Sequence, residues 1–155
     1  MQGALPQAWR DRRLYSRAVA IRQRVNLVTL GARDLSTLRH FDEGWGWRPD
    51  EGGSDRIVFF DVGGTLLALY PLDLLAAEAA PNAPLPSAGT WNGVVLSVNF
   101  FSRDEVDAAL GDAVEAGAVQ IGDPVVRSWG GYSGYVADPE GNRWELAWAP
   151  NSDPT

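Results

Sequence analysis

Glu145 is the residue with the clearest chemical potential, because it is a carboxylate set among apolar side chains in the run RWELAW. The residues at 138–142 (DPEGN) have the composition of a tight turn between two strands. If Ala137 pairs with Arg143 across that turn, Tyr135 lies directly opposite Glu145. The pattern therefore predicts a hairpin with a phenol beside a carboxylate on one face and apolar side chains on the other.

Three roles are open for Glu145. A carboxylate in apolar surroundings is costly unless it is paired, so a hydroxyl such as that of Tyr135 or Tyr132, or an Arg, could satisfy it structurally. It could instead bind a cationic or hydrogen-bond-donating part of a ligand, or act as a general base with a raised pKa. No base with an orienting partner can be recognised from the spacing. We therefore assign no catalytic residues, and whether the protein is an enzyme stays open.

Aromatic side chains next to glycines form a second set of candidates, because they could stack on a flat ligand at the rim of a binding site. Trp129 and Tyr132 flank Gly130 and Gly131, and Trp91 lies close to Gly93. The alternative is that they only pack against the protein itself. The predicted ligand-binding residues are Glu145, Tyr135, Trp129, Tyr132, Asn99 and Trp91.

The elements that must position these residues repeat along the chain. Each half begins with an apolar strand, continues with an amphipathic helix that follows Arg-Asp, and ends in strands. Module one spans 25–80, with strands at 25–31, 47–49, 57–62 and 65–70 and helices that begin at Asp34 and at Leu72. Module two spans 93–150, with a strand at 94–101, a helix at 103–116, strand segments at 119–121 and 125–129 separated by a turn at 123–124, and the final hairpin. A Pro-rich linker at 81–92 separates them, and the fold class is α+β.

Charge is distributed unevenly. Residues 1–24 hold six Arg against one acid, a net charge of +5, and are predicted to be an N-terminal extension. Residues 25–155 hold seven Arg against 19 acids, a net charge of −12, and end in a short tail at 151–155. An acidic domain disfavours nucleic acid and favours neutral or cationic ligands. The chain lacks Cys, a membrane span and a secretory signal, so we expect a cytoplasmic protein without disulfides or membrane contact.

The run Asp-Pro-Glu-Gly-Asn-x-Trp-Glu-Leu, which ends at Leu146, resembles the "DPDGxxxEL" ending of the vicinal oxygen chelate superfamily. That superfamily holds glyoxalase I, extradiol dioxygenases and bleomycin-resistance proteins. The resemblance spans 25–150. It implies tandem βαβββ modules that form a curled, cup-shaped mixed sheet with helices outside, and it implies a homodimer.

Members of this superfamily hold a divalent ion with four side chains, mostly His, Glu or Gln, on the first and last strand of each module. The resemblance places these positions at Leu27, at Ala68, at Gly93 or Val94, and at Glu145. Only Glu145 carries a ligand type, and the chain has a single His. One carboxylate cannot supply the several oxygen or imidazole ligands that divalent ions require, so we predict no metal cofactor.

Three functions remain open. The first is sequestration of a small aromatic or cationic molecule, as in bleomycin-resistance members. The second is a glyoxalase-like lyase, isomerase or dioxygenase with an atypical metal site that uses Asn26, Asn99 or Asp61 with Glu145. The third is a structural or regulatory module whose cup is filled by the protein's own side chains.

Overall fold

The computed structural model describes residue 21, residues 23–151 and residue 154. Most of the predicted N-terminal extension and most of the predicted tail therefore lie outside the described residues. The predicted module boundaries stay a prediction. The fold class is confirmed as α+β, with three helices and two mixed sheets in the described part of the chain.

Module one contains a three-stranded sheet with a helix on each face. Its strands run in the order β1-β3-β2, with β1 parallel to β3 and β2 antiparallel to β3. The parallel pair is what allows the first helix to form the crossover between two strands. The elements are β1 (Leu27–Ala32), α1 (Leu35–Gly44), β2 (Val58–Asp61), β3 (Leu66–Pro71) and α2 (Leu72–Ala79).

The strand predicted at 47–49 does not form. The N–H of Trp47 instead donates to the carbonyl of Asp42 at 3.0 Å, so this residue closes the end of α1. Pro49 has no N–H to offer to a sheet. A single bond from Asp50 N to Phe59 O at 2.7 Å joins the segment to β2. Module one therefore has one strand fewer than the predicted βαβββ unit.

Module two contains a five-stranded sheet in the order β4-β8-β7-β5, with β6 also paired to β7. Strand β4 is parallel to β8, as β1 is to β3 in module one. The predicted strand at 125–129 is shortened to two residues, because a turn from Arg127 to Gly131 follows it. The elements are β4 (Val95–Phe100), α3 (Arg103–Glu115), β5 (Val119–Gln120), β6 (Val125–Val126), β7 (Tyr132–Ala137) and β8 (Arg143–Trp148).

Both crossover helices start at side-chain caps. Asp34 Oδ1 accepts from Thr37 N at 3.0 Å, and Ser102 Oγ accepts from Glu105 N at 3.2 Å. The carboxylate of Glu105 in turn accepts from Phe101 N at 2.9 Å, which gives α3 a reciprocal cap. These caps fix where each helix begins relative to the strand that precedes it.

One hydrophobic core lies between the modules. It joins the α1 side of the module-one sheet to the α3 side of the module-two sheet, with Leu38, Phe41, Val106 and Leu146 fully buried. Near the end of α1, the Trp45 and Trp47 rings are stacked 5.8 Å apart, and each meets the Trp144 ring of β8 edge-on at 5.5 Å.

Helix α2 covers the other face of the module-one sheet. A Cβ built on Gly31 of β1 would lie 2.6 Å from Leu72 Cδ1 and 3.3 Å from Leu75 Cδ2, so the helix rests directly on the strand. The hydroxyl of Tyr70 donates to Glu78 Oε1 at 3.1 Å and ties α2 to β3. Helix α2 therefore covers part of the face of module one that is turned away from α1, and a cavity of about 200 Å³ lined by Thr29, Leu72 and Leu75 remains beside it.

Candidate functional site

The β7–β8 hairpin places Tyr135 and Glu145 in the predicted register, with Ala137 opposite Arg143. The Tyr135 hydroxyl donates to Glu145 Oε1 at 2.7 Å. On the other side of β8, Ser97 of β4 is aligned with Glu145 and donates to Oε2 at 2.9 Å. Both carboxylate oxygens thus accept a hydrogen bond from a neighbouring strand.

These hydrogen bonds keep Glu145 ionised. Burial opposes the charge, but the hydroxyls of Tyr135 and Ser97 outweigh it and lower the pKa of Glu145 below its ordinary value. The same contact raises the pKa of Tyr135, because its proton is shared with a carboxylate. A carboxylate with a lowered pKa is a hydrogen-bond acceptor and a weak general base.

Arg127 contacts both Ser133 and Tyr135. Its Nε donates to Ser133 Oγ at 2.9 Å and its Nη2 to Ser133 O at 3.1 Å. Its guanidinium lies over the Tyr135 ring, 5.2 Å from the centroid. The positive charge also favours the ionised form of Glu145. We name the surface formed by Ser97, Arg127, Ser133, Tyr135 and Glu145 the Glu145 face.

Two of the six predicted residues lie on the Glu145 face, and Asn99 lies beside it on β4. Tyr132 is on the opposite side of the sheet, where its hydroxyl donates to Asp107 Oδ1 of α3 at 2.7 Å. The guanidinium of Arg103 lies between Tyr132 and Trp148, 5.6 and 5.2 Å from their ring centroids. Side chains three residues apart on a strand point to opposite faces, so Tyr132 and Tyr135 do not share a site.

The two predicted tryptophans, Trp91 and Trp129, are exposed and are also contacted by neighbouring residues. Trp91 Nε1 donates to Val94 O at 2.8 Å in the linker region before β4. The Trp129 ring folds over its own turn, since a Cβ on Gly131 would lie 1.6 Å from the ring. Neither residue lines the cavity between the two modules. Ligand contact at Trp91, Trp129 and Tyr132 stays a prediction without geometric support at the Glu145 face.

A cavity of about 540 Å³ lies between the modules, on the side of the β4–β8 pair to which Leu96, Val98 and Trp144 point, and it meets the Glu145 face at Ser97 on the open edge of β4. We call it the intermodule groove. Ser97 and Asn99 line it from β4, which pairs with β8 on one side and with no other described strand. Thr65 and Arg48 add polar groups. The aromatic part of the lining is formed by Trp47, Phe60 and Trp144. Ser97 therefore contacts both the groove and Glu145.

Module one has a face equivalent to the Glu145 face, but it is covered. Thr29 and Ser97 each stand five residues before the N-cap of the following helix. Thr29 pairs with Ala68 as Ser97 pairs with Glu145. Ala68 is fully buried on the side where α2 lies. Of the two modules, module two is therefore the one that carries a carboxylate at this position of its sheet.

The donor set around Glu145 does not fit a divalent ion held in the usual way of this fold. The structure places Ser97, rather than Gly93 or Val94, across from Glu145, and Thr29 and Ala68 occupy the two equivalent positions in module one. Within residues 23–151 there is no group of three or more His, Cys, Asp or Glu side chains that could hold a metal. Hydroxyls and one carboxylate supply too little negative charge.

Sequence reasoning missed Ser97, Ser133 and Arg127. Ser97 could have been found from its spacing to the helix cap, because a parallel β4–β8 pair aligns it with Glu145. Arg127 could not, since its role depends on the turn that ends β6 and returns the side chain over Tyr135. Polar residues on an alternating strand also occur on ordinary solvent-facing surfaces.

Comparison with known proteins agrees with this geometry. The sequence profile of the Glyoxalase/Bleomycin resistance protein/Dioxygenase superfamily matches residues 29–146. The chain therefore belongs to this superfamily, as the closing hairpin predicted. The matched residues fall within the predicted domain at 25–150. No curated protein matches the sequence significantly.

Solved structures place the fold in the same group. A glyoxalase-related enzyme from Fulvimarina pelagi is 30% identical, with a TM-score of 0.73 over 83% of this chain and 90% of the other. A glyoxalase/bleomycin resistance protein/dioxygenase from Nocardioides is 20% identical, with a TM-score of 0.67 over 94% and 96%. A lactoylglutathione lyase from Agrobacterium tumefaciens is 21% identical, with a TM-score of 0.62 over 83% and 96%. The last two show the fold alone.

No helix in the described part of the chain has both the length and the apolar character that crossing a membrane requires.

Proposed function

We propose that this protein binds a small aromatic or cationic molecule at the Glu145 face and the adjoining intermodule groove, without transforming it. The mode of action would be sequestration, as in the bleomycin-resistance members of the superfamily. The observation that carries the proposal is the state of Glu145, whose ionised carboxylate is fixed by Tyr135 and Ser97 on an accessible sheet face.

The chemistry of the two regions is complementary. A fixed carboxylate accepts hydrogen bonds from an ammonium, amide or hydroxyl group of a ligand. The groove offers the half-buried side chains of Trp47, Leu96 and Val98 to an apolar or aromatic ring. The net charge of −12 over residues 25–155 favours the approach of cations. The two regions meet at the open edge of β4, where Ser97 lines the groove and donates to Glu145, so a ligand that carries a ring and a cationic donor would reach both by lying across that edge.

Tryptophan fluorescence titration tests the proposal with phenethylamine, benzyltrimethylammonium and bleomycin as probes, together with a neutral aromatic such as toluene. We expect saturable quenching by at least one cationic probe. Glu145→Gln should weaken that binding by roughly tenfold or more, because a charge-assisted hydrogen bond contributes about 1.5–3 kcal/mol. Glu115→Gln, on the exposed side of α3, is the matched control and should bind like wild type. Absence of saturable binding by every probe contradicts the proposal.

A second candidate is a metal-dependent glyoxalase-like lyase, isomerase or dioxygenase with an atypical site. It is favoured by Glu145, which stands where superfamily members place their last metal-binding carboxylate, and by the fold shared with a lactoylglutathione lyase. Elemental analysis of protein purified without chelator decides this point. Stoichiometric Mn, Fe, Ni, Zn or Co that is lost in Glu145→Gln would favour the enzyme. Its absence would leave the binding protein.

The quaternary structure we propose is a homodimer. Strands β1 and β4 each pair on one side only with another described strand, so each offers an unpaired edge. Exposed apolar residues lie near these edges, among them Leu27, Val94 and Val95. Light scattering at micromolar concentration should give twice the chain mass of 16.8 kDa. A monomeric mass would refute the dimer and leave the ligand proposal intact.

A further inference from the structure

Asp42 is an acidic side chain enclosed at the contact between the modules. It lies near the end of α1 and is 1% exposed. Within the described residues, neither of its carboxylate oxygens has a hydrogen-bond partner. An ionised carboxylate in such a place loses its hydration without replacement, so the neutral acid is the stable form there.

Asp138, at the start of the β7–β8 turn, is the neighbouring acid and is 3% exposed. Unlike Asp42, it accepts hydrogen bonds at both of its carboxylate oxygens. Oδ1 accepts from Glu140 N and Asn142 N, both at 2.9 Å, and Oδ2 accepts from Asn142 Nδ2 at 2.8 Å and from Trp144 Nε1 at 3.2 Å. Four donors stabilise an anion, so Asp138 is the member of the pair that carries the negative charge.

The proton therefore belongs to Asp42. Burial raises the pKa of Asp42 to about 8, and the negative charge of Asp138 adds to the rise. Burial also raises the pKa of Asp138, but the hydrogen bonds from Asn142 and Trp144 oppose that rise. Two interacting acids titrate as a unit, and at neutral pH this unit retains one proton.

Other charged groups around Asp42 are engaged elsewhere or exposed. On α1 itself, Arg39 pairs with Glu43 at 2.9 Å on the outer side, and His40 is exposed. At the start of the same helix, Arg33 pairs with Glu140 of the turn at 3.3 Å. On α3, the side chains of Asp112 and Glu115 are exposed. Among the described groups, the charge that acts on Asp42 is that of Asp138.

The pair lies beside the aromatic contact that joins the modules. Trp144, which donates to Asp138, meets the edges of Trp45 and Trp47, and the N–H of Trp47 is bonded to the backbone of Asp42. A second negative charge at Asp42 would repel Asp138 across this contact. We propose that the junction of the two modules is a pH-sensitive switch, closed while Asp42 holds a proton and loosened when that proton is lost.

The switch is independent of any ligand, so ligand-free protein tests it. Folding takes up a proton wherever Asp42 is protonated in the folded chain and ionised in the unfolded chain, which is the interval from about pH 4 to about pH 8. The equilibrium constant for unfolding of wild type should rise by roughly tenfold per pH unit across that interval. Asp42→Asn should lack this contribution, and Asp112→Asn, an exposed acid on α3, should retain it.

Intrinsic fluorescence reports the junction directly. We expect the emission of folded wild type to change in a single-proton transition near pH 8, because Trp45, Trp47 and Trp144 adjoin the pair, and we expect no such transition in Asp42→Asn. Infrared spectroscopy of wild type at pH 7 covers the case in which the variant fails to fold. A protonated carboxylic acid band at that pH supports the proposal. Its absence, or a fluorescence transition unchanged in Asp42→Asn, overturns it.

Discussion

Tyr135 determines the chemical state of Glu145. Without a donor, burial would push this carboxylate towards its neutral form. With the phenol at 2.7 Å and Ser97 at 2.9 Å, the anion is favoured. This distinction decides between a general base and a binding group, because a base needs a pKa close to the working pH. The sequence predicted the pairing of Tyr135 with Glu145, but it could not predict which way the proton affinity would shift.

Tyr135→Phe tests whether the Tyr135 hydroxyl lowers the pKa of Glu145. The pKa of Glu145 should rise, and the free energy of unfolding at pH 7 should fall by about 1 kcal/mol. Because the folded-state pKa of Glu145 is lowered, the stabilisation is present above the unfolded-state pKa and is lost as the pH falls through the folded value. The two proteins should therefore converge in stability at acidic pH. Carboxyl carbon chemical shifts of Glu145 measured against pH give the pKa directly.

Tyr70→Phe is the matched control, since it removes a phenol that donates to Glu78 on α2. It should leave the titration of Glu145 unchanged. Equal pKa values for Glu145 in wild type and Tyr135→Phe would contradict the role assigned to the hydroxyl.

At the scale of elements, local signals in the sequence were sufficient to predict helices and hairpins wherever the residues of a turn or a helix cap were distinctive. The helix at 72–79 and the hairpin register about the 138–142 turn were predicted correctly. The strand at 47–49 was wrong, because the N–H of Trp47 closes α1 and its ring joins the core. The covering of module one by α2 was not predicted either. It depends on Gly31 leaving room for Leu72, which no periodicity reveals.

Ser102→Ala tests the cap that sets the start of α3. Removing the hydroxyl leaves Glu105 N without its acceptor, and the free energy of unfolding should fall by about 1 kcal/mol. Urea denaturation followed by far-ultraviolet circular dichroism measures the loss. Ser87→Ala, in the exposed linker, should change stability by less than about 0.5 kcal/mol. A Ser102→Ala protein as stable as the Ser87→Ala protein would show that the cap contributes nothing.

At the scale of the whole molecule, we expect the two modules to unfold together, because they share one hydrophobic core. Trp47 connects the end of α1 to both sheets. Its ring stacks on Trp45 and meets Trp144 and Phe60 at 5.5 and 5.8 Å. The Arg33–Glu140 pair adds a polar connection between the modules at the other end of the helix.

Trp47→Ala should therefore destabilise the entire domain by about 3 kcal/mol, the lower end of the range for a large aromatic residue, because Trp47 is half-buried. Trp91→Ala removes the same side chain from an exposed site and should cost about 1 kcal/mol, mostly through its bond to Val94 O. Guanidinium denaturation monitored by circular dichroism measures both. Similar losses in the two variants would contradict a joint core.

Helix α2 makes the two halves of the molecule unequal, and this has a consequence for stoichiometry. Module one has no counterpart of Glu145, because Ala68 stands at the equivalent position and is buried on the side where α2 lies. A calorimetric titration should accordingly saturate at one ligand per polypeptide, not two. Recognition is then confined to the half that bears Glu145, whereas the residues of module one that face α2 can change as long as they keep the helix packed on the sheet.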